Sequence, residues 1–302
     1  MTGRAVMIDG VLLSPENAKV SVYDRGFLFG DAVFEVLRTY GRKPFALEEH
    51  LSRLRRSAQS VFIELPVDEP TLNSEVLAAL TAVGDTDGDS YVRIVVTRGI
   101  GPLTLDPHTA GCPARVILVE PVAPPPRAAY VSGIAVVLVP TRRAVEDTSA
   151  AGAKVTNYLP NLLALREAKG RAAQEALIVD VAGHVVEGAT SNVFLVSAGV
   201  LCTPPVHAGI LAGITRASIL AAAADLRIPT AERTLLPEDI YAADEVFVTS
   251  SIREVLPVVL ADGRAIGGGV PGHLTRAVHR RFLERLAREL GQPVRAAPFD
   301  LG

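Results

Sequence analysis

Lys154 is the residue of this sequence whose type and surroundings best suit covalent chemistry with a carbonyl compound. The chain has 30 lysines and arginines, and four of them are lysines: Lys19, Lys43, Lys154 and Lys169. Small residues precede Lys154 at positions 150–153, and a predicted helix follows it. A lysine that forms a Schiff base reacts as the neutral amine, so it must be partly shielded from water, and small neighbours leave room for a flat ring. On its own, this context also fits an exposed lysine on a loop.

A second candidate feature is the glycine-containing turn at residues 211–216, which leads into a predicted helix that begins near Thr215. The unpaired N–H groups and the dipole at the start of a helix suit a phosphate group. The hydroxyl of Thr215 can add a further hydrogen bond. The alternative is an ordinary helix in which Thr215 is the N-cap, and these residues alone leave both possibilities open.

Two charged residues complete the candidate chemistry. Glu187 follows a predicted strand and precedes a glycine and small polar residues. A carboxylate that faces a pyridine nitrogen keeps that ring protonated, so the ring can withdraw electrons. Arg53 adjoins an apolar stripe formed by Leu51 and Leu54, so its guanidinium can turn inward and bind an anion. The ordinary alternative for Glu187 is a glutamate on a surface turn.

The elements that position these residues are predicted from hydrophobic spacing and turn residues. Residues 5–13 form a predicted hairpin around the turn Asp9–Gly10. Further strands are predicted at 32–40, 91–97, 115–119, 134–139, 176–180, 192–196 and 245–249. Helices are predicted at 47–62, 157–169, 215–226 and 274–290. Because strands and helices mix without regular alternation, the pattern indicates an α/β (α+β) protein with two domains.

The domain boundary is predicted at a proline-rich stretch, residues 121–126, which is typical of a stiff connector. We expect a smaller N-terminal domain over residues 1–120, a linker over 121–129 and a larger C-terminal domain over 130–302.

Seven segments, taken together and in this order, resemble the class IV aminotransferases. The segments are 23–31, 34–35, 49–54, 154–158, 187–194, 209–216 and 244–251. This family of pyridoxal-phosphate enzymes includes branched-chain and D-amino-acid aminotransferases and aminodeoxychorismate lyase. The resemblance implies the fold of type IV pyridoxal-phosphate enzymes, with a small N-terminal α/β domain, a larger C-terminal domain and the cofactor between them. It also implies a homodimer, with active sites near the interface.

The resemblance also implies roles for individual residues. Lys154 would bind pyridoxal 5′-phosphate and move the substrate α-proton, Glu187 would face the pyridine nitrogen, and Tyr158 would face the ring hydroxyl. Leu211 would pack against the ring. The residues that would hold the phosphate are Arg53, Ile214, Thr215 and Ser251. The residues that would contact the substrate are Phe34, Arg38, Tyr91, Arg93, Ile252 and Arg253.

The substrates are an amino acid and a 2-oxo acid. Different features of the sequence indicate different amino acids. Residues 29–36 and 96–99 are similar to D-amino-acid enzymes, but residues 102–105 lack the Arg-x-His clamp that those enzymes use for the α-carboxylate. Tyr91, Arg93 and Arg38 are similar to branched-chain enzymes, yet Val36 replaces their glycine and the spacing from lysine to Asn157 is one residue shorter.

Our expectation from the sequence is a D-amino-acid aminotransferase, acting on D-alanine or D-glutamate by a ping-pong mechanism. A buried substrate carboxylate needs a counter-charge. Arg93, Arg38 and Arg253 are the candidates, and Arg93 is preferred. The alternatives are an L-branched-chain amino acid aminotransferase, aminodeoxychorismate lyase and a non-catalytic protein that binds the cofactor.

Composition excludes several other classes of protein. The net charge of −3 and the pI near 6.1 do not favour binding to nucleic acid or to a membrane surface. No apolar run approaches the roughly 20 residues of a membrane helix. Two cysteines and an N-terminus without a signal-peptide pattern predict a cytoplasmic protein. The six histidines lack the spacing of a metal site.

Overall fold

The structure is a computed structural model that describes residues 3–84, 88–141 and 148–300. The chain packs into two compact units, of which the first comprises Met1–Ala123 and Asp147–Asn157. The second comprises Pro124–Glu146 and Tyr158–Gly302. Lys154 therefore belongs to the first unit. The predicted domain boundaries stay a prediction, because packing within one chain does not show which segments fold independently.

The first unit contains a six-stranded antiparallel sheet in its described residues. Its strands are β1 (Ala5–Ile8), β2 (Val11–Leu13), β3 (Ala32–Tyr40), β4 (Lys43–Pro44), β5 (Ser90–Thr97) and β6 (Ala114–Pro121). Its helices are α1 (Arg25–Phe29), α2 (Leu47–Ser60) and α3 (Glu69–Ala82), with a 3₁₀ turn at Pro107–Thr109. The strand order is β2-β1-β6-β5-β3-β4. The predicted hairpin at 5–13 is confirmed as β1 and β2.

Helices α2 and α3 cover one face of this sheet, and strand alternation explains the burial pattern. Successive side chains of a strand point to opposite faces. The residues of β5 that face the helices are fully buried: Val92, Ile94 and Val96. The residues of β5 on the opposite face are half-buried: Tyr91, Arg93 and Val95. Leu51 and Leu54 of α2 complete the core, as their spacing predicted.

The second unit contains a nine-stranded mixed sheet in its described residues. Its strands are β7 (Ile134–Pro140), β8 (Glu175–Val179), β9 (Val185–Gly188), β10 (Asn192–Ser197), β11 (Val200–Thr203), β12 (Thr230–Glu232), β13 (Glu245–Ser250), β14 (Glu254–Ala261) and β15 (Arg264–Ala265). Its helices are α4 (Arg127–Val131), α5 (Leu159–Gly170), α6 (Ile214–Asp225), α7 (Pro237–Tyr241) and α8 (His273–Leu290), with a 3₁₀ turn at Val206–Ala208. The order is β12-β11-β10-β13-β14-β7-β8-β9, and β15 pairs with β14.

Strand β7 shows how both faces of this sheet are covered. It pairs in parallel with β8 and β14. Ile134, Val136 and Leu138 belong to one hydrophobic cluster. Val137 and Val139 belong to another, which includes alanines of α5. A strand buried on both faces has a continuous apolar sequence rather than an alternating one.

Two predicted helix ends are wrong by two residues. The helix expected over 47–62 ends at Ser60, because Phe62 adopts a left-handed backbone with φ of 56°. The helix expected over 157–169 begins at Leu159, with Pro160 in its first turn, where a missing N–H group costs little. The predicted mixed α/β class is confirmed. No helix among the described residues is long and apolar enough to span a membrane.

Candidate active site

Lys154 differs from the other lysines in its burial. It is half-buried, whereas Lys19, Lys43 and Lys169 are exposed. Partial burial disfavours the charged form of an amine, which is the condition that a Schiff-base lysine requires. Lys154 is therefore not the exposed loop lysine that the sequence left as an alternative.

The first unit fixes the backbone of Lys154 on both sides. Its carbonyl oxygen accepts a hydrogen bond from the Phe34 N–H (2.9 Å), and its own N–H donates to Ser57 Oγ (3.1 Å). The Thr156 N–H donates to the Ala32 carbonyl (3.0 Å), and Val155 pairs with Val33. The lysine segment therefore continues the sheet beside the first residues of β3, so the start of its side chain has a defined position.

The aromatic ring of Phe34 contacts both the amine of Lys154 and a guanidinium. Lys154 Nζ lies 4.6 Å from the centroid of the Phe34 ring, and Arg93 Cζ lies 3.9 Å from the same centroid. Phe34 and Arg93 share the sheet face that the helices leave uncovered, because Val36 pairs with Arg93 and Phe34 pairs with Val95. Cations are attracted to the faces of aromatic rings, so the ring holds both groups in place. A carboxylate bound to Arg93 would lie beside the ring that the amine also contacts.

A buried network lies on the opposite, helix-covered face of β3. Glu35 is fully buried and accepts hydrogen bonds from Arg53 Nε (2.6 Å) and Nη2 (2.7 Å). Its Oε2 also lies 2.8 Å from His50 Nδ1. The predicted inward orientation of Arg53 is confirmed, and Arg55 and Arg56 are exposed. Glu35 holds the planar guanidinium in one orientation, as a bidentate pair does.

The charges in this network follow from opposing effects. Burial raises the pKa of Glu35, but the charge and hydrogen bonds of Arg53, with the hydrogen bond from His50, outweigh it and lower the pKa to about 2. Burial lowers the pKa of His50, and the charges of Arg53 and Lys154 lower it further, so the pKa lies below its ordinary value although Glu35 raises it. Glu35 is therefore ionised, and His50 is neutral with its proton on Nδ1.

We expect this network to make the protein less stable in acid. The unfolded chain protonates His50 near its ordinary pKa of 6.5 and Glu35 near 4.5, whereas the folded chain resists both protonations. Stability should therefore fall as pH drops below 6.5, and fall further between pH 4.5 and about 2. Urea unfolding from pH 8 to pH 5 measures the first part. In the variant His50→Gln, the free energy of unfolding should depend less on pH between pH 8 and pH 5. An unchanged pH dependence would show that His50 does not cause this part of the fall in stability.

Arg38 and Tyr91 lie farther along the same sheet face, opposite each other in the pairing of β3 and β5. The Arg38 guanidinium is buried, donates from Nη2 to Asp89 Oδ2 (2.9 Å) and lies 4.4 Å from the centroid of the Tyr40 ring. An arginine that already neutralises an aspartate is a weaker candidate for a substrate carboxylate than Arg93. The substrate roles of Arg38 and Tyr91 stay predictions.

In the second unit, Glu187 belongs to a hydrogen-bonded frame around Leu211. Glu187 Oε2 accepts from the Leu211 N–H (3.0 Å), and Asn192 Nδ2 donates to the Leu211 carbonyl (3.0 Å). Glu187 is half-buried at its place in β9, where it pairs with Ile178. The frame fixes the direction of the carboxylate and the course of the chain toward α6.

Helix α6 begins one residue earlier than predicted, with Gly213 as its N-cap and Ile214 as its first residue. Thr215 is the second helical residue and is buried, so the alternative in which Thr215 is the N-cap is wrong. Glycine has no side chain that can cap the first N–H groups of the helix, and these groups suit an anion.

The remaining predicted residues lie at two further places in the second unit. Ser251, Ile252 and Arg253 form the turn between β13 and β14, and all three are half-buried. Arg253 Nη1 forms an ion pair with the buried carboxylate of Glu175. Tyr158 is half-buried and is the N-cap residue of α5.

The comparison with known proteins identifies the family. The family described as amino-transferase class IV matches residues 32–261. The chain belongs to this family. It is 38% identical over 277 residues to a Methanocaldococcus jannaschii protein named "Putative branched-chain-amino-acid aminotransferase", covering 92% of this chain and 94% of that protein. It is 32% identical to the D-alanine aminotransferase of Bacillus licheniformis, covering 96% and 99% of the two chains.

Solved structures extend this likeness to the fold of class IV aminotransferases. The branched-chain amino acid aminotransferase from Escherichia coli has a TM-score of 0.86 and 30% identity, covering 94% of this chain and 95% of that one. A further matching branched-chain aminotransferase was solved with pyridoxamine 5′-phosphate. This class IV chain is therefore an enzyme with the fold of type IV aminotransferases. Enzymes of this family use pyridoxal phosphate.

The residues of this class IV enzyme fit that cofactor. They supply a half-buried amine, a carboxylate with a fixed direction, a buried guanidinium and a helix start without a side-chain cap. The most specific of these features is Gly213 at the start of α6. A Cβ at this position would lie 2.0 Å from Asn192 Oδ1. Only glycine lets the start of α6 pack against the Asn192 side chain, which also bonds Leu211.

Sequence reasoning missed three of the buried partners in this class IV enzyme. Glu35 binds Arg53, His50 binds Glu35, and Glu175 binds Arg253. A signal existed for Glu35, because it occupies an alternate position of β3 between the buried residues Val33 and Leu37. For Glu175 the sequence holds no comparable signal.

Proposed function

We propose that this enzyme transfers the amino group of an L-branched-chain amino acid to a 2-oxo acid, using pyridoxal phosphate. The observation that carries the proposal is the Phe34 ring, which contacts both the Lys154 amine and the Arg93 guanidinium. One group can act at the α-carbon of an amino acid while the other binds its carboxylate. Both half-reactions use the same residues, so we expect ping-pong kinetics.

The roles of the chain's own residues follow from their chemistry. When bound, pyridoxal phosphate supplies an aldehyde for amine exchange and a ring that withdraws electrons. Lys154 would attach it, and the freed amine would remove the α-proton of the substrate and return it to the cofactor carbon. Glu187 would keep the proton on the ring nitrogen, and Tyr158 would donate to the ring hydroxyl. Arg53, Ser251 and the N–H groups of Ile214 and Thr215 would hold the phosphate.

The preference for an apolar L-amino acid has three supports. Val36 and Val95 flank Phe34 and Arg93 on the half-buried sheet face, so they suit an aliphatic side chain. At the place where D-amino-acid enzymes carry a charged clamp, this chain has Leu103 and Leu105, with exposed fractions of 73% and 78%. Several relatives are branched-chain enzymes, which supports this substrate over the D-amino acid that the sequence favoured.

A D-amino-acid substrate is the second candidate. Its support is the likeness to the D-alanine aminotransferase of Bacillus licheniformis and the similarity of residues 29–36 to such enzymes. A half-reaction without amino acceptor separates the two candidates. The purified holoenzyme is mixed separately with L-leucine, D-alanine and D-glutamate while the absorbance of the bound cofactor is followed. We expect bleaching with L-leucine only. Bleaching with the D-amino acids only would contradict the proposal, and no bleaching would make aminodeoxychorismate the next substrate to test.

Replacing Arg93 by alanine should raise the KM for L-leucine by roughly 10- to 100-fold, because a charge-assisted hydrogen bond contributes about 1.5–3 kcal/mol. Steady-state kinetics of Arg93→Ala and Arg93→Lys measure the effect, and the lysine variant should recover part of it. Arg115→Ala is the matched control, because Arg115 lies on the same sheet but pairs with Glu75 on the other face. An unchanged KM in Arg93→Ala would remove Arg93 from the substrate site.

Assembly as a homodimer belongs to the same proposal. The first unit exposes large apolar side chains at Phe27, Leu103 and Leu105, with exposed fractions of 67%, 73% and 78%. Arg25 fixes the segment that carries the two leucines, because its Nη1 donates to the Thr104 carbonyl (2.7 Å). Fixed apolar side chains in water favour association. Light scattering on the purified protein should give twice the mass of the 31.9 kDa chain.

A further inference from the structure

Glu175 is a buried carboxylate that the proposed chemistry does not use. It begins β8 and has no solvent exposure. Its Oε2 accepts hydrogen bonds from Thr190 Oγ1 (2.9 Å) and Ser191 Oγ (3.2 Å), and it forms the ion pair with Arg253 Nη1. A buried charge persists only where it is paired and hydrogen-bonded, so the groups that bind Glu175 are held firmly to it.

The first group of partners belongs to the turn that follows Glu187. The Gly188 N–H donates to the Ser191 carbonyl (2.7 Å), which closes the turn. A Cβ at Gly188 would lie 2.1 Å from Ser191 Oγ, so glycine is required for Ser191 to reach Glu175. The turn that binds Glu175 therefore begins directly after the carboxylate of Glu187.

The second partner, Arg253, closes the turn that carries Ser251 and Ile252. Its N–H donates to Ser250 Oγ (3.3 Å), and its carbonyl accepts from the Tyr130 hydroxyl (3.1 Å). Glu175 is thus bonded to the turn after Glu187 and to the turn that contains Ser251.

The residue after this turn is also anchored. Glu254 is buried and has a φ of 57°, a left-handed backbone that favours glycine. Its carboxylate lies 2.9 Å from Nε2 of His279, which is fully buried on α8. The His279 ring lies 6.0 Å from the ring of Tyr130, the residue that bonds the Arg253 carbonyl. The turn is therefore fixed at its last residue as well as through Arg253.

We propose that Glu175 and Arg253 form a positioning pair that sets the spacing between the Glu187 carboxylate and the Ser251 hydroxyl. This proposal rests on the proposed function, in which Glu187 and Ser251 hold opposite ends of one cofactor. Arg253 then acts through Glu175 and does not bind the substrate carboxylate. The two turns come from segments about 60 residues apart in sequence, and Glu175 is bonded to both.

The test compares cofactor affinity with substrate KM in the parent enzyme, Glu175→Gln, Arg253→Met and the double variant. We expect the Kd of pyridoxal phosphate, measured by its absorbance and fluorescence, to rise at least tenfold in each single variant. The Kd of the double variant should be no higher than the Kd of the weaker-binding single variant, because the two residues act as one unit. The KM for L-leucine at saturating cofactor should stay within threefold of the parent value.

Two outcomes would overturn the proposal. A tenfold rise in KM for Arg253→Met with an unchanged Kd would make Arg253 a substrate ligand. An unchanged Kd and KM in all variants would leave the pair with a structural role alone. Arg253→Lys keeps the charge if a single variant does not fold, and its Kd should lie between those of the parent and Arg253→Met.

A control variant and measurements on the parent enzyme distinguish a failure of this inference from a failure of the proposed function. Glu75→Gln breaks a different ion pair, the bidentate pair with Arg115, and should lower the melting temperature without changing the Kd. If the parent binds no pyridoxal phosphate or reacts with no amino acid, the proposed function fails. If the parent does both and the variants keep its Kd, only this inference fails.

Discussion

Replacing Lys154 by alanine lowers the rate of transamination by roughly 10⁴-fold or more, because the variant loses both the covalent attachment of the cofactor and the group that moves the α-proton. Steady-state assays with L-leucine and a 2-oxo acid measure the loss. Added methylamine should restore part of the proton transfer in Lys154→Ala, because a small amine can occupy the space of the missing side chain.

Lys169→Ala is the control for this prediction. Lys169 is exposed in the last turn of α5, so its replacement should leave the rate within twofold of the parent value. If Lys154→Ala kept a tenth of the parent rate, or Lys169→Ala lost as much as Lys154→Ala, the assignment of Lys154 would be wrong.

Replacing Glu35 by glutamine destabilises the protein by about 3–5 kcal/mol, because Arg53 is left as a buried charge without its partner. The same variant should weaken the binding of pyridoxal phosphate, since Glu35 fixes the guanidinium that we assign to the phosphate. Urea unfolding of the apoprotein and titration with the cofactor measure the two effects separately.

The matched control removes an exposed ion pair of the same unit. Arg4 and Glu120 lie 3.7 Å apart with half of each side chain in water, so Glu120→Gln should cost less than about 1 kcal/mol. The double variant Glu35→Met with Arg53→Met should recover stability relative to Glu35→Gln, because no charge remains buried. A loss below about 1 kcal/mol in Glu35→Gln would show that the network adds little to stability.

Much of the local structure was predictable because local forces determine it. The turn Asp9–Gly10 predicts the first hairpin, and the spacing of Leu47, Leu51 and Leu54 predicts α2. Helix α3 was missed although its signals are present. Asp68 caps it by accepting from the Thr71 N–H, and Leu72 and Val76 are buried at helical spacing.

Strand β14 was missed for a different reason. Pro257 lies within it and is paired with Phe247 of β13, whereas proline in a run of apolar residues argues against a strand. The pairing of β14 with β7 also contains a register shift between Val258 and Leu260. Tertiary packing stabilises this irregular strand, and such packing is not visible in a local pattern.

The candidate site was predictable in part. Lys154, Glu187 and Arg53 were selected because their residue types and neighbours suit the chemistry, and the resemblance of seven segments to class IV aminotransferases favoured them over ordinary surface roles. Their roles in the site stay predictions. Glu175 was missed because a buried carboxylate looks like any acidic residue in a sequence, whereas Glu35 was missed although the alternation of β3 held a signal for its burial. Their partners Arg53 and Arg253 are 18 and 78 residues away, and only the fold brings them together.

Borohydride reduction of the purified holoenzyme, followed by peptide mass spectrometry, tests most directly that Lys154 carries the cofactor. Reduction makes the bond between a lysine and pyridoxal phosphate permanent, so the modified residue can be located. The chain offers four lysines, and we predict the phosphopyridoxyl mass on Lys154 alone. The same mass on Lys19, Lys43 or Lys169 instead, or on no lysine of a holoenzyme that turns over amino acids, would contradict the account.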